Sequence, residues 1–246
     1  MRKLQFESGK LYHVYNRGTD GRPIFSDDSD YARFIHGLFV FNDTASVPHA
    51  FYQPLIDDLQ SYEAEPRNFS VGKYRTRPVS HRELIVKIHC FCLMRNHFHL
   101  LLEPIIDGGI PKFMQKLGTG YTMYFNARSE RKGVLFQGAF KAVALEGEAH
   151  FIHLPYYIHA NPLDYFDRGW RSGSVSKPEE AYEYLCKYKW SSFPDYIGEK
   201  NMPSVTQRDF LLEYVDGPQA YKDGFLRWLQ AEILFSDLDS TTTLED

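Results

Sequence analysis

At 246 residues the chain is one large domain, or a domain with a sizeable extension, and is long enough to bury a core without disulfide staples. Its 43% apolar, 24% charged and 16% aromatic residues exclude a disordered polymer. A formal charge of −4 excludes a uniformly basic nucleic-acid coat, though not a local basic face.

The amino terminus begins with charge and reaches no apolar signal core, and no stretch approaches the ~18 apolar residues of a membrane span. A cytoplasmic, nucleoid-associated protein is expected. Cys90, Cys92 and Cys186 fit neither a disulfide framework nor a four-thiolate zinc site, which leaves them as buried thiols.

Residues 11–17 alternate as a strand and run into a Gly/Pro loop at 18–23. Ser26 to Asp30 supply N-caps for a helix over about 28–42, with Tyr31, Phe34, Ile35, Leu38 and Phe39 at helical spacing. From about 43 to 82 the periodicity disappears among prolines and scattered charges, the pattern of an insertion. Two β-rich runs, 84–94 and 97–103, flank Arg95-Asn96 and predict a hairpin. A helix follows over about 110–129 despite Gly118 and Gly120, then a strand over about 134–145 and a helix over about 147–161 that Pro162 ends. Helix-like segments near 178–188 and 205–231 suggest a carboxy-terminal extension. The domain reading is therefore 1–196 with an insertion at about 43–82, then a helical extension over 197–246.

Two features could carry chemistry. His97 and His99 are two apart on a strand, so both imidazoles project from one face and can meet one metal ion. Ten histidines in the chain make a chance His-x-His common, so half-buried structural histidines are an equal reading. Tyr157 and Asn161 are four apart on one helical face, bringing a hydroxyl and a carboxamide together, while Asn161 before Pro162 equally suits a helix C-cap. Tyr156 points about 100° away from that face.

The blocks Tyr12-His13-Val14-Tyr15-Asn16-Arg17-Gly18, Leu93-Met94-Arg95-Asn96-His97-Phe98-His99 through Glu103, Leu135-Phe136-Gln137-Gly138, Tyr157-Ile158-His159-Ala160-Asn161-Pro162 and Trp190-Ser191-Ser192 together resemble the REP-associated tyrosine transposases. These are single-tyrosine HUH transposases of the smallest bacterial insertion sequences. The resemblance implies an α+β fold, a ferredoxin- or RRM-like antiparallel sheet with packed helices and the histidine pair on an inner strand. It implies a divalent ion, Mg²⁺ or Mn²⁺, held by His97, His99 and Asn161, with Tyr157 as the nucleophile that forms a 5′-phosphotyrosine link in single-stranded DNA at hairpin-forming repeat ends.

Two positions depart from the family pattern. Pro155 would kink a helix before Tyr157 unless it opened one, and Ala139 stands where relatives usually carry Arg. Between Ile110 and Leu145, six basic residues stand against Glu130 alone, a local +5 within the overall −4. Lys112, Lys116, Arg128, Arg131, Lys132 and Lys141, interleaved with Tyr121, Tyr124, Phe125, Phe136 and Phe140, suit a DNA-tracking surface with stacking platforms, base recognition using loops, Arg17, Arg22 and the extension. The partner would be single-stranded or hairpin DNA, with a homodimer left open. Rival readings are a non-cleaving domesticated DNA-binding regulator and an HUH replication initiator or relaxase.

Overall fold

The structure is a computed structural model that describes residues 4–45, 82–173 and 175–230. Most of the expected insertion at 43–82 and the last residues of the extension lie outside the described residues. Four strands, β1 (Tyr12–Arg17), β2 (Val86–Met94), β3 (His97–Pro104) and β4 (Lys141–Ala144), form one antiparallel sheet in the order β2-β3-β1-β4. The fold class is α+β as expected, and β3 is an inner strand.

Strand alternation sorts the sheet into two faces. Tyr12, Val14, Phe91, Leu93, Phe98, Leu100 and Leu102 belong to one core, with helix α1 (Asp28–Val40) and helix α2 (Gly109–Arg128). Cys90, Cys92, Met94 and Leu101 belong to a second core on the opposite face. There they meet α3 (Glu148–Ala160), α4 (Pro178–Lys187), the one-turn α5 (Phe193–Tyr196), α6 (Asp209–Tyr214) and α7 (Pro218–Gln230). The carboxy-terminal helices complete this second core: Tyr221, Phe225 and Trp228 of α7 close on Tyr156 of α3.

Several sequence blocks serve the frame. The β2–β3 turn is clamped, since the Arg95 carbonyl accepts from the Ile24 and Phe25 amides and the Asn96 carbonyl from the Gly18 amide. Gly18 itself has no room for a side chain, as a Cβ there would lie 2.2 Å from the Arg22 carbonyl oxygen. Trp190-Ser191-Ser192 pairs along the outer edge of β2, the Leu93 amide donating to Trp190 O at 3.0 Å and the Ser192 amide to Phe91 O at 3.0 Å. That contact covers an otherwise open sheet edge.

Three expectations are corrected. The strand expected over 134–145 is only Lys141–Ala144, because Gly138 at φ 72 closes a tight turn, its amide donating to Phe136 O at 2.9 Å, and leaves one bridge between Gly18 and Phe136. The helix-like stretch 205–231 is two helices, α6 and α7, separated where Asp216 and Gly217 adopt positive φ. Tyr121, Tyr124 and Phe125 are core residues under α2, at 2%, 2% and 5% exposure, and cannot act as stacking platforms for bases.

Gly120 shows why a helix tolerates so poor a former at this place. A Cβ there would lie 2.2 Å from the Phe41 ring, which ends α1 and seats against α2. Gly120→Ala should therefore lower stability by about 1–3 kcal/mol, since relief of overpacking must move an aromatic ring buried in the first core. Gly118→Ala, which meets nothing within 4 Å, should be neutral or mildly stabilising. Paired urea unfolding curves check both.

Candidate active site

The second face of the sheet carries the site. The register sets Tyr15 opposite His99 and Arg17 opposite His97, so His13, Tyr15 and Arg17 of β1 share a face with His97 and His99 of β3. His13 Nε2 and His99 Nδ1 are 2.9 Å apart and the two rings stack at 5.1 Å. Tyr157 closes over the pair from α3, its ring edge-on to His13 at 6.4 Å and to His99 at 6.3 Å. Tyr157 is 2% exposed and Asn161 and His99 are fully buried.

Pro155 does not open α3. The helix starts at Glu148 and continues through Pro155 to Ala160, so His153 lies on it and Tyr157 and Asn161 stay one turn apart. The break expected at Pro155 is therefore absent. Asn161 is the C-cap: its Nδ2 donates to Tyr157 O at 2.9 Å and Ile158 O at 3.4 Å. Because only the nitrogen of a carboxamide can donate to a carbonyl, those bonds turn Oδ1 the other way, where Arg171 Nη2 donates to it at 3.0 Å. The nitrogen end of the carboxamide thus serves as the cap, and the oxygen end meets Arg171.

Burial keeps the imidazoles neutral. It pushes His13 down to about 3 and His99 well below its ordinary value, where the neighbouring His97 and His13 add to the effect. His97 is pushed down to about 4 by burial, with Asp164 and the Asn161 side chain opposing and Arg171 and Arg17 assisting. A neutral imidazole is the form that binds metal. His97 Nδ1 lies 2.7 Å from Asn96 Oδ1, while its Nε2 is buried without a hydrogen-bond partner.

Tyr156 is excluded from this site by its own packing. Its ring lies among Tyr221, Phe225 and Trp228, and its hydroxyl occupies the space beside Gly224, where a Cβ would lie 2.3 Å from it.

Residues 79–161 match the family model described as "Transposase IS200 like". That segment is similar to the IS200-like transposases. It holds His97, His99, Tyr157 and Asn161 together. No match was found among curated proteins. A solved structure described as "Structure of the REP associates tyrosine transposase bound to a REP hairpin" is similar over 83% of this chain and 88% of that one, at 13% identity and a TM-score of 0.44.

The basic residues in and around the matched segment divide between site and frame. Arg17 borders the site beside His97, its Nε donating to Gln137 Oε1. Lys141 lies 5.9 Å from the Tyr15 ring, on the same face. Arg22 is tied to its own turn by Thr19 O at 2.9 Å and by Asp20 at 3.5 Å. The rest belong to α2 and the loop after it, and α2 packs on the other face of the sheet. Arg128 is paired with Asp27 and, at 2.6 Å, with Asp30, pinning the end of α2 to the start of α1. Lys116 donates to the Asp43 and Ala45 carbonyls at 2.5 and 3.1 Å. Arg131 holds Asn126 Oδ1 at 3.1 Å, while Lys112 and Lys132 are exposed. The local +5 is therefore partly absorbed by the fold, and it surrounds the back of the sheet more than the site.

Sequence reasoning missed His13, Asp164 and Arg171. His13 was findable, since the β1 alternation places it with Tyr15 and Arg17 on one face. Arg171 had no signal: it lies ten residues beyond Asn161 on a 3-10 turn (Arg168–Ser172) that no periodicity connects to α3.

The same face contains a buried histidine outside the site. His159 lies between Tyr221 Oη at 2.7 Å and Ser192 Oγ at 2.8 Å, and burial pushes it down to about 3. In the unfolded chain it titrates near 6.5. The native state therefore binds fewer protons between those values, and stability falls as pH drops through that window by about 1.4 kcal/mol per pH unit from this group. His159→Gln should flatten the acid limb of stability against pH by about one proton, read from urea midpoints between pH 7 and 4.

Proposed function

We propose that the chain is a DNA transposase that nicks and rejoins single-stranded DNA at hairpin-forming repeat ends through a 5′-phosphotyrosine intermediate on Tyr157. The observation that carries this reading is the convergence, within the IS200-like segment, of Tyr157 and Asn161 from α3 on the His97/His99 face of β3. A buried phenol closing over two neutral imidazoles suits in-line attack at phosphorus better than it suits a binding surface, which needs no such enclosure.

The donor set fits a divalent ion in part through His97, whose buried Nε2 has no hydrogen-bond partner, and in part through neutral His99. Among the described residues no three His, Cys, Asp or Glu side chains are grouped to hold a metal, so Asn161 Oδ1 would supply the third donor, in exchange for its bond to Arg171. Two imidazoles and a carboxamide are a softer shell than Mg²⁺ prefers, and Mn²⁺ should be tolerated at least as well. When bound, the ion would polarise the scissile phosphate and offset its developing charge.

The chain's own residues supply position. β3 fixes the spacing of the histidines, the His13 contact orients the His99 ring, and the C-cap bonds of Asn161 lock its carboxamide. Attack forms the bond from Tyr157 oxygen to phosphorus and breaks the bond from phosphorus to the 3′ oxygen. The phenol proton ends, in net, on the released 3′-OH. Phosphodiester energy is kept in the tyrosine link, so the reverse step joins strands without another energy source.

A groove of about 480 Å³ opens beside the end of β1, lined by Asn16, Phe98, Phe136, Gly138 and Phe140 among others. Phe136 and Phe140, half-buried against the first core where Tyr121, Tyr124 and Phe125 are buried, line this groove, and we assign them stacking contacts with unpaired bases. Single-stranded oligonucleotides tiled across the DNA flanking the coding sequence, labelled at either end and incubated with Mn²⁺ or Mg²⁺, test the function. The label on the 3′ side of the break should move to protein on a denaturing gel, while the other fragment ends in a free 3′-OH. Tight hairpin binding with no break in either metal would favour the regulator.

A further inference from the structure

The group that touches the proposed nucleophile is a guanidinium. Arg171 Nη1 donates to the Tyr157 hydroxyl oxygen at 2.6 Å, and its Nη2 donates to Asn161 Oδ1 at 3.0 Å. The guanidinium also lies 5.6 Å from the Tyr157 ring and 4.7 Å from the Trp170 ring. Arg171 is itself held. Its Nε and Nη2 bond the two carboxylate oxygens of Asp164 at 2.8 Å each, a bidentate fork, and Trp170 Nε1 donates to the same carboxylate at 2.6 Å.

The local chain makes this arrangement. Pro162 ends α3 and opens a 3-10 turn (Asn161–Tyr165) that sets Asp164 just past the C-cap. A second 3-10 turn, capped by the Asp167 carboxylate on the Gly169 amide, returns Arg171 to face it. The bidentate grip of Asp164 fixes the guanidinium plane, and in that plane Nη1 meets the phenol oxygen.

We propose that Arg171, anchored by Asp164, is a catalytic residue that holds the Tyr157 oxygen in place and stabilises negative charge on it during strand cleavage and rejoining. This rests on the reading of Tyr157 as nucleophile. An N–H donor on one lone pair of the phenol oxygen leaves the other lone pair and the proton directed elsewhere, which fixes the attack direction. In rejoining, the tyrosine–phosphorus bond breaks as the bond from the 3′ oxygen forms, and the tyrosine oxygen is the leaving group. A fixed cationic donor at that oxygen favours its departure.

The test uses the full chain, the tiled single-stranded oligonucleotides and Mn²⁺, and reads covalent capture under single turnover beside oligonucleotide affinity and melting temperature. Arg171→Ala should slow capture by about 10²–10³-fold while affinity changes by less than about threefold, and added ethylguanidinium should restore at least about tenfold of the rate. Arg171→Lys, which keeps a cation but cannot grip Asp164 and Tyr157 together, should fall between. Should Arg171→Ala fail to fold, the Lys variant decides alone: capture at the wild-type rate overturns the proposal. So does a loss in Arg171→Ala that follows affinity or melting temperature and is not rescued by ethylguanidinium. If wild-type protein captures no DNA, or Tyr157→Phe captures it, the nucleophile assignment fails and takes this proposal with it. Normal wild-type capture, none in Tyr157→Phe and full capture in Arg171→Ala sink the Arg171 role alone.

Discussion

Tyr157→Phe is expected to abolish covalent capture of single-stranded DNA, and Tyr156→Phe to leave it intact. The two residues are adjacent in sequence but belong to different surroundings. Tyr157 faces His13 and His99 across the second core, whereas Tyr156 points into α7 against Tyr221, Phe225 and Trp228. Removing one oxygen from Tyr157 deletes the only atom that could form the phosphotyrosine, so the loss should reach the detection limit rather than a fixed factor. Folding should survive, because the ring contacts stay, although the Arg171 Nη1–H loses its acceptor at a cost of about 1–3 kcal/mol. Capture persisting in Tyr157→Phe would move the nucleophile elsewhere. Loss in both variants, with melting temperatures unchanged, would mean that α7 packing controls the site.

The second large effect concerns the histidine pair. His97→Ala and His99→Ala should each reduce cleavage by at least about 10²-fold while oligonucleotide affinity stays within about threefold, because contacts that position DNA and groups that assist the chemistry are separable. The two variants should differ in stability. His99 is fully buried, stacks on His13 and shares a hydrogen bond with it, so its truncation opens a cavity and unpairs His13 Nε2. A cost of about 2–4 kcal/mol is expected there. His97 stands at the first position of β3 with its Nδ1 beside Asn96, and should cost less. Equal loss of binding and cleavage would make the pair structural. Titrating Mn²⁺ against each variant adds a second reading: a higher metal requirement supports ligand roles, and an unchanged one opposes them.

Local sequence carried the elements well where period and punctuation agreed. Alternation in 11–17 and the two β-rich runs around Arg95-Asn96 gave β1, β2 and β3 nearly to the residue, and the caps at Ser26–Asp30 gave α1, with Asp27 bonding the Ser29 and Asp30 amides. It misjudged 134–145 because Val134, Leu135 and Phe136 are apolar for a different reason. Leu135 fills the first core and Phe136 crosses the end of β1, both outside a ladder.

The candidate site was legible in its sequential parts and illegible in its long-range ones. His97 and His99 share a face by strand period, and Tyr157 and Asn161 by helix period, so each pair was visible locally. Which face of the sheet they would meet on, and that Arg171 would return through two 3-10 turns to join them, depends on tertiary contacts that no local period encodes. Charge showed the same limit. Lys116 and Arg128 read as DNA contacts in a cationic stretch, yet each is used to fasten α2 to the region of α1, and the sheet separates that helix from Tyr157.

The most direct measurement is the identity of the residue that carries DNA. After capture with Mn²⁺, protease and nuclease digestion followed by fragmentation mass spectrometry should find a nucleotide 5′-phosphate esterified to Tyr157. Attachment at Tyr156, Tyr165 or any other residue, or strand breaks with no protein-linked nucleotide, would contradict the account.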